Sequence, residues 1–173
     1  MKTLLTTCCL LLLGWFALAD RGFASATAAI ARFGFTSAVV DRVPADMIAS
    51  LDVPPGQTIY FWAEYCIGPD GMALLHKNGS LPLRHVWRYG WAGIAVSDTI
   101  EVGITPDNWS ANKAGYLAEF AKDGFFRFRT FSYKQNLTHS KYYIQCTDAD
   151  NSEVGQFGSQ GRRFRPSVSI QYK

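Results

Sequence analysis

An all-β fold, an antiparallel immunoglobulin-like β-sandwich with one or two short helices, is what this sequence predicts. Three observations carry that expectation. Residues 83–103 alternate twice around a glycine-bearing turn: His85, Trp87 and Tyr89 against Arg84, Val86 and Arg88, then Ile94, Val96, Ile100 and Val102 against Ala95, Ser97, Thr99 and Glu101. Residues 58–66 hold Ile59, Tyr60, Phe61, Trp62 and Tyr65, nearly all β-favouring, with large apolar groups on both faces as a central strand requires. Short alternating runs and turn residues recur along the chain, with little helical periodicity. A partly open barrel would satisfy the same pattern and is the alternative.

Taken in order, Met1-Lys2 precedes an uncharged run over residues 3–19, with leucines at 10–13 and Ala17-Leu18-Ala19 at its end. That arrangement predicts a cleaved secretory signal with Asp20 as the first mature residue. Ala24-Ser25-Ala26 offers a second small-residue site. Cys8 and Cys9 lie inside the apolar run and not at a cleavage boundary, which does not support a lipid anchor. The run is near the lower limit for crossing a bilayer, so no stable membrane span is expected after cleavage. Residues 20–30 read as a linker, with a helical turn over 26–31, and residues 31–173 as a single β-sandwich domain with a basic C-terminal tail.

Residues 32–40 alternate with Phe33, Phe35 and Val39 on one face and predict the first strand. Pro44 followed by Met47, Ile48 and Leu51 predicts one or two helical turns, ended by Pro54-Pro55-Gly56. Gly68-Pro-Asp-Gly71 predicts a turn, residues 72–75 a returning strand, and Asn78-Gly79 a second turn. Asp98 interrupts an apolar face and marks a bulge or strand break. Residues 105–109 read as loop, and Ser110 as the cap of a short helix over 111–122 ended by Gly124. Residues 125–133 and 142–147 predict further strands, residues 148–161 a polar, glycine-rich loop, and residues 167–172 a closing edge strand.

Loss of residues 1–19 removes Lys2, leaving 16 basic against 14 acidic groups, a balance of +2. That near-neutrality gives no footprint for nucleic acid. After Glu153 the chain is basic, with Arg162, Arg163, Arg165 and Lys173. Cys66 and Cys146 remain in the mature chain. An even count in an exported protein predicts one disulfide between them.

The catalytic inventory is thin. The sequence has no glycine-rich nucleotide loop, no paired-histidine zinc motif and no nucleophile-elbow serine, and no cofactor or metal ligand set is expected. His76, His85 and His139 are scattered. A general-base role for His85 competes with a structural one beside Trp87 and Tyr89, and the structural reading is adopted. Glu64 and Asp98 are a candidate carboxylate pair of the glycosidase kind. Among the aromatics, Trp91 and Trp109 occupy loop-like positions and predict a shallow binding site, with Arg162 and Arg163 beside it, for a carbohydrate or protein partner. Three glycosylation tripeptides begin at Asn78, Asn108 and Asn136.

Residues 31–51 pair a Phe35-Thr36 strand with Arg42-Val-Pro44-Ala-Asp46, residues 59–65 add an aromatic strand, and His85-Val-Trp87 with Tyr89 precedes the alternating strand of 94–102. In order and spacing these segments resemble the bacterial domain of unknown function 2914 family. The similarity covers about residues 31–103 and fades towards Cys146; the inserted residues 74–83 and the tail depart from it. It implies an exported or membrane-associated β-sandwich module with no assigned activity. The expectation is a secreted or periplasmic, non-enzymatic binding or interaction module. A small cell-envelope hydrolase using His85 with a carboxylate is the alternative.

Overall fold

The computed structural model describes residues 27–48, 50–53, 57–90, 95–137, 141–148 and 167–172. The elements are β1 (Ala29–Thr36), β2 (Val39–Val40), β3 (Val43–Pro44), β4 (Ser50–Val53), β5 (Ile59–Ile67), α1 (Pro69–Asn78), β6 (Leu83–Tyr89), β7 (Ala95–Glu101), α2 (Pro106–Asp123), β8 (Phe126–Lys134), β9 (Lys141–Asp148) and β10 (Ser167–Tyr172). They build a mostly antiparallel, sandwich-like fold with no closed barrel. One sheet has the order β1-β5-β8, the other β4-β10-β9-β6-β7, and β2 and β3 form a separate small hairpin.

The core lies between the two sheets. Ile59, Phe61, Ala63, Tyr65 and Ile67 of β5 face inward with Phe126 and Phe128 of β8, and meet Leu83 and Trp87 of β6 and Tyr142, Ile144 and Cys146 of β9. Phe61 lies edge-on to His85 at 4.9 Å, and Phe35 to Trp87 at 6.0 Å. The large apolar groups on both faces of β5 gave it a central place, and it is buried along almost its whole length.

Several local expectations are corrected. The helical turns expected after Pro44 are instead the β2–β3 hairpin, the isolated bridge of Ile48 to Phe35, and strand β4. Asp41 and Arg42 carry φ of 50° and 62°, so two residues in left-handed backbone turn the hairpin where proline was expected to open a helix. Residues 69–78 form α1 and not a turn with a returning strand. Pro69 fills its first turn, Asp70 complements its dipole, and Gly79 closes it in left-handed backbone at φ 68°, donating to Leu75 O. Gly71 suits the helix because its missing side chain lets the Thr27 carbonyl approach. The expected linker ends earlier than residue 30, since β1 begins at Ala29 and forms strand where a helical turn was expected.

Helix α2 also begins earlier than Ser110. Thr105 is its cap, accepting from Asn108 N at 3.2 Å, with Pro106 in the first turn; it runs 18 residues to Gly124, so it is not short. The bulge expected near Asp98 is present: Trp87 pairs with Asp98 and Arg88 with Val96, which leaves Ser97 as the extra residue. Strand β10 does not close an edge. It lies between β9, antiparallel, and β4, parallel, so the larger sheet is mixed.

Candidate functional site

Polar groups gather in two places, on opposite faces of the β1-β5-β8 sheet. On the inner face a chain of hydrogen bonds links the sheets. His85 Nε2 lies 3.0 Å from Tyr65 Oη, His85 Nδ1 lies 2.9 Å from Ser132 Oγ, and Trp87 Nε1 donates to Ser132 Oγ at 3.0 Å. The Tyr65 hydroxyl also bonds the Cys146 thiol. One arrangement of protons runs through the chain in a single direction. Ser132 donates to Nδ1, the Nε2–H of His85 donates to Tyr65, and Tyr65 donates to Cys146 Sγ.

This chain is sealed. His85, Trp87 and Tyr65 are each 0% exposed. Burial drives the His85 imidazolium down to about 3, pushes the Tyr65 phenol well above its ordinary value, and holds the Cys146 thiol up at about 12. All three are therefore neutral at neutral pH, and a substrate has no approach to any of them. His85 and Trp87 occupy the structural positions expected for them, while Tyr89 is only half-buried.

The outer face is different. Tyr60, Trp62, Glu64 and Cys66 of β5 pair there with Tyr133, Phe131, Arg129 and Arg127 of β8. Tyr60 packs against Phe131 at 5.9 Å and Tyr133 at 5.8 Å. Phe131 and Tyr133 are 39% and 53% exposed, and Val40, Val43 and Met47 are exposed as well. Trp62 is covered: its Nε1 donates to Arg42 O at 2.8 Å, and the Arg32 guanidinium lies over its ring. Glu64 is buried and accepts from Arg129 Nε at 2.6 Å. Arg42 and Arg129 also line a shallow groove with Asn108, Phe128 and Phe131 beside β8. The result is a flat aromatic strip flanked by guanidinium groups.

Asp46 fixes the hairpin beside this face. Its carboxylate lies 2.6 Å from Thr36 Oγ1 and accepts from Ser37 N and Oγ at 2.8 Å each. Those bonds, the Thr36 contact foremost, hold the Asp46 carboxyl below its usual range. The Phe35-Thr36 strand and the turn ending in Asp46, noted together in the sequence, are thus joined by hydrogen bonds.

The binding site expected from Trp91 and Trp109 is not assembled as expected. Trp109 is buried, 5% exposed, stacked on Tyr116 and edge-on to His76 at 5.8 Å. It lies in the first turn of α2, and its indole turns inward because the helix starts at Pro106. Trp91, Arg162 and Arg163 lie outside the described residues. The expected disulfide is also absent: Cys66 and Cys146 are free thiols. Cys66 points to the outer face of β5 and Cys146 into the core from β9, so the body of the β1-β5-β8 sheet separates them. Glu64 and Asp98 do not form a carboxylate pair, because Arg129 neutralises the first and Lys134 the second.

Among the described residues no group of His, Cys, Asp and Glu could hold a metal ion, and no helix is long and apolar enough to cross a membrane. Asn78 and Asn136 are exposed, whereas Asn108 lies within α2 with its Oδ1 accepting from Tyr116. The strip of half-buried Tyr60 and exposed Phe131 and Tyr133 has no counterpart among the residues singled out in the sequence. The alternation of Phe131 and Tyr133 with Ser132 was its one signal. No family model matches the chain, and no curated protein matches it.

Proposed function

We propose that the protein is an exported, non-enzymatic binding module that takes an acidic carbohydrate on the outer face of the β1-β5-β8 sheet. The observation that carries this reading is the exposure of Phe131 and Tyr133 beside Arg129, while the histidine best placed for chemistry is sealed. Sugar rings stack on exposed aromatic faces, and a guanidinium matches a carboxylate in shape and charge. Export rests on the apolar N-terminal run and its small-residue exit. Kinship with the domain of unknown function 2914 family belongs to the same proposal and rests on residues 31–103. The burial of His85 favours the binding reading over a hydrolase built on that residue.

A glycan array probed with purified protein tests the reading. Binding to oligosaccharides of uronic acids is expected, with loss in Tyr60→Ala and Tyr133→Ala at unchanged melting temperature. Uniformly blank uronic-acid spots would overturn it, and so would binding that both variants retain.

A further inference from the structure

Arginine at position 42 is a costly occupant of its turn. Asp41 and Arg42 join Val40 to Val43 with positive φ at both residues, a geometry that favours glycine at the second position. A side chain held in left-handed backbone is local strain, which proteins keep where it has a use. Trp62 Nε1 grips the Arg42 carbonyl at 2.8 Å and so holds the turn over the outer face of the sheet. From there the Arg42 guanidinium reaches helix α2 and donates to the Tyr116 hydroxyl. That hydroxyl donates in turn to Asn108 Oδ1 at 3.1 Å.

The line of bonds ends in the groove beside β8, which has a volume of about 260 Å³. Arg42, Arg129, Asn108 and Glu101 line it, with the exposed Phe131 as an apolar wall. Its charges do not cancel. Arg84 holds Glu101 at 2.5 Å, and Arg129 spends its Nε on Glu64. Arg42 has only the neutral phenol, with no carboxylate partner among the described residues. The terminal nitrogens of Arg129 and the Nδ2 of Asn108 also lack partners among the described residues. The groove therefore holds one uncompensated positive charge and spare donors on three side chains. One negative charge with two acceptor oxygens answers both, and a planar carboxylate matches the guanidinium fork. The volume lies below the range for drug-sized ligands, so it suits a single ring and not a chain.

We infer that this groove is the carboxylate seat of the binding face. Arg42 grips the anion, Arg129 and Asn108 complete its shell, and the sugar ring lies against Phe131. The inference deepens the reading above and rests on it for the carbohydrate, whereas the seat itself rests on the groove. Tyr116 is a positioning residue, aiming Arg42 without touching the ligand. Neutral sugars and methyl esters leave the Arg42 charge unanswered and bind poorly.

NMR of the arginine Nε–H groups of the purified protein, titrated with sodium glucuronate and separately with its methyl ester, tests this. The acid should shift the Arg42 and Arg129 signals to saturation. The ester should bind more weakly by about tenfold or more, the cost of losing bonds to a charged group. Arg42→Gln should weaken the acid to the same degree and melt with the native protein, since Arg42 is exposed. Asn108→Asp keeps the acceptor for Tyr116 but adds a negative charge to the groove, and should also abolish the preference for the acid. Tyr116→Phe keeps its ring stack and loses the hydroxyl, so the Arg42 signal should move before any ligand is added. An unmoved signal there would overturn the positioning role. No saturable shift up to the solubility limit of the salt would overturn the seat, as would equal affinity for acid and ester or full affinity in Arg42→Gln. A blank glycan array with glucuronate bound at Arg42 would strike the oligosaccharide reading and leave the seat. A positive array with Arg42→Gln unchanged would do the opposite.

Discussion

Ser132 and Tyr133 are neighbours on β8, yet they belong to different worlds. Ser132 is 2% exposed and joins His85 to Trp87; Tyr133 is 53% exposed and packs against Tyr60. The period of two in a strand divides every inner residue from its outer neighbour. The inner face carries the groups that look chemical, namely histidine, serine, tyrosine and cysteine. Those groups are locked into one another and serve to fix how the sheets dock. The outer face carries a covered Trp62 and, beside it, the exposed Phe131, Tyr133 and Arg129. Residue type alone points to the wrong face; burial decides between them.

The largest expected effect breaks the inner face. Trp87→Ala should lower stability by about 3–5 kcal/mol in denaturant titration, the range for truncating a buried large aromatic. It also frees the Ser132 hydroxyl from its donor. A midpoint within experimental error of the native protein would show that the inner chain does not hold the sheets.

Acid should act next. Burial holds His85 at about 3, below its ordinary 6.5, so below pH 6.5 the unfolded chain binds a proton that the native chain refuses. Stability contributed by the neutral imidazole is therefore full above pH 6.5 and lost steadily as pH falls towards 3. At pH 5 the loss should be about 2 kcal/mol relative to neutral pH. Urea midpoints for the native protein and for His85→Gln, which cannot titrate, check this. A slope that His85→Gln leaves unchanged would assign the effect elsewhere.

The thiols sharpen the same contrast. Both Cys66 and Cys146 are raised by burial, so both should resist alkylation in the native protein and react after unfolding without any reductant. Intact-mass analysis reads the result directly. A mass two hydrogens short, restored by reductant, would show that the two cysteines are bonded after all.

The strands of the core were legible because their signal is periodic and long: β5, β6, β8 and β9 all lie where alternation places them. The failures share a physical cause. Thr105-Pro106-Asp107 is a capping sequence that also suits a loop, and a helix begun at Ser110 leaves Trp109 outside it. That single shift turned the buried Trp109 into a candidate ligand contact. Likewise Gly68-Pro-Asp-Gly71 suits both a turn and a helix start, and only the C-terminal stop at Gly79 separates them. The outer strip was illegible for another reason. Alternation tells that Phe131 and Tyr133 share a face but not that the opposite face is the core, because along β8 the apolar residues switch from the inner face at Phe126 and Phe128 to the outer face at Phe131 and Tyr133. The pairing of Cys66 with Cys146 failed in the same way, since counting cysteines ignores which face of a strand each one occupies.

The smallest expected effect on stability is the most telling. Tyr133→Ala should change the folding free energy by no more than about 0.5 kcal/mol, as surface substitutions usually do. Ser132→Ala, one residue earlier, should cost about 1–3 kcal/mol by leaving buried partners unpaired. Melting temperature and titration with a uronic-acid oligosaccharide, measured on both variants side by side, test the central claim most directly. The account predicts that Ser132→Ala melts several degrees lower and still binds the oligosaccharide, while Tyr133→Ala melts with the native protein and no longer binds. The reverse pattern, binding lost with Ser132 and kept without Tyr133, would contradict it and return function to the inner face.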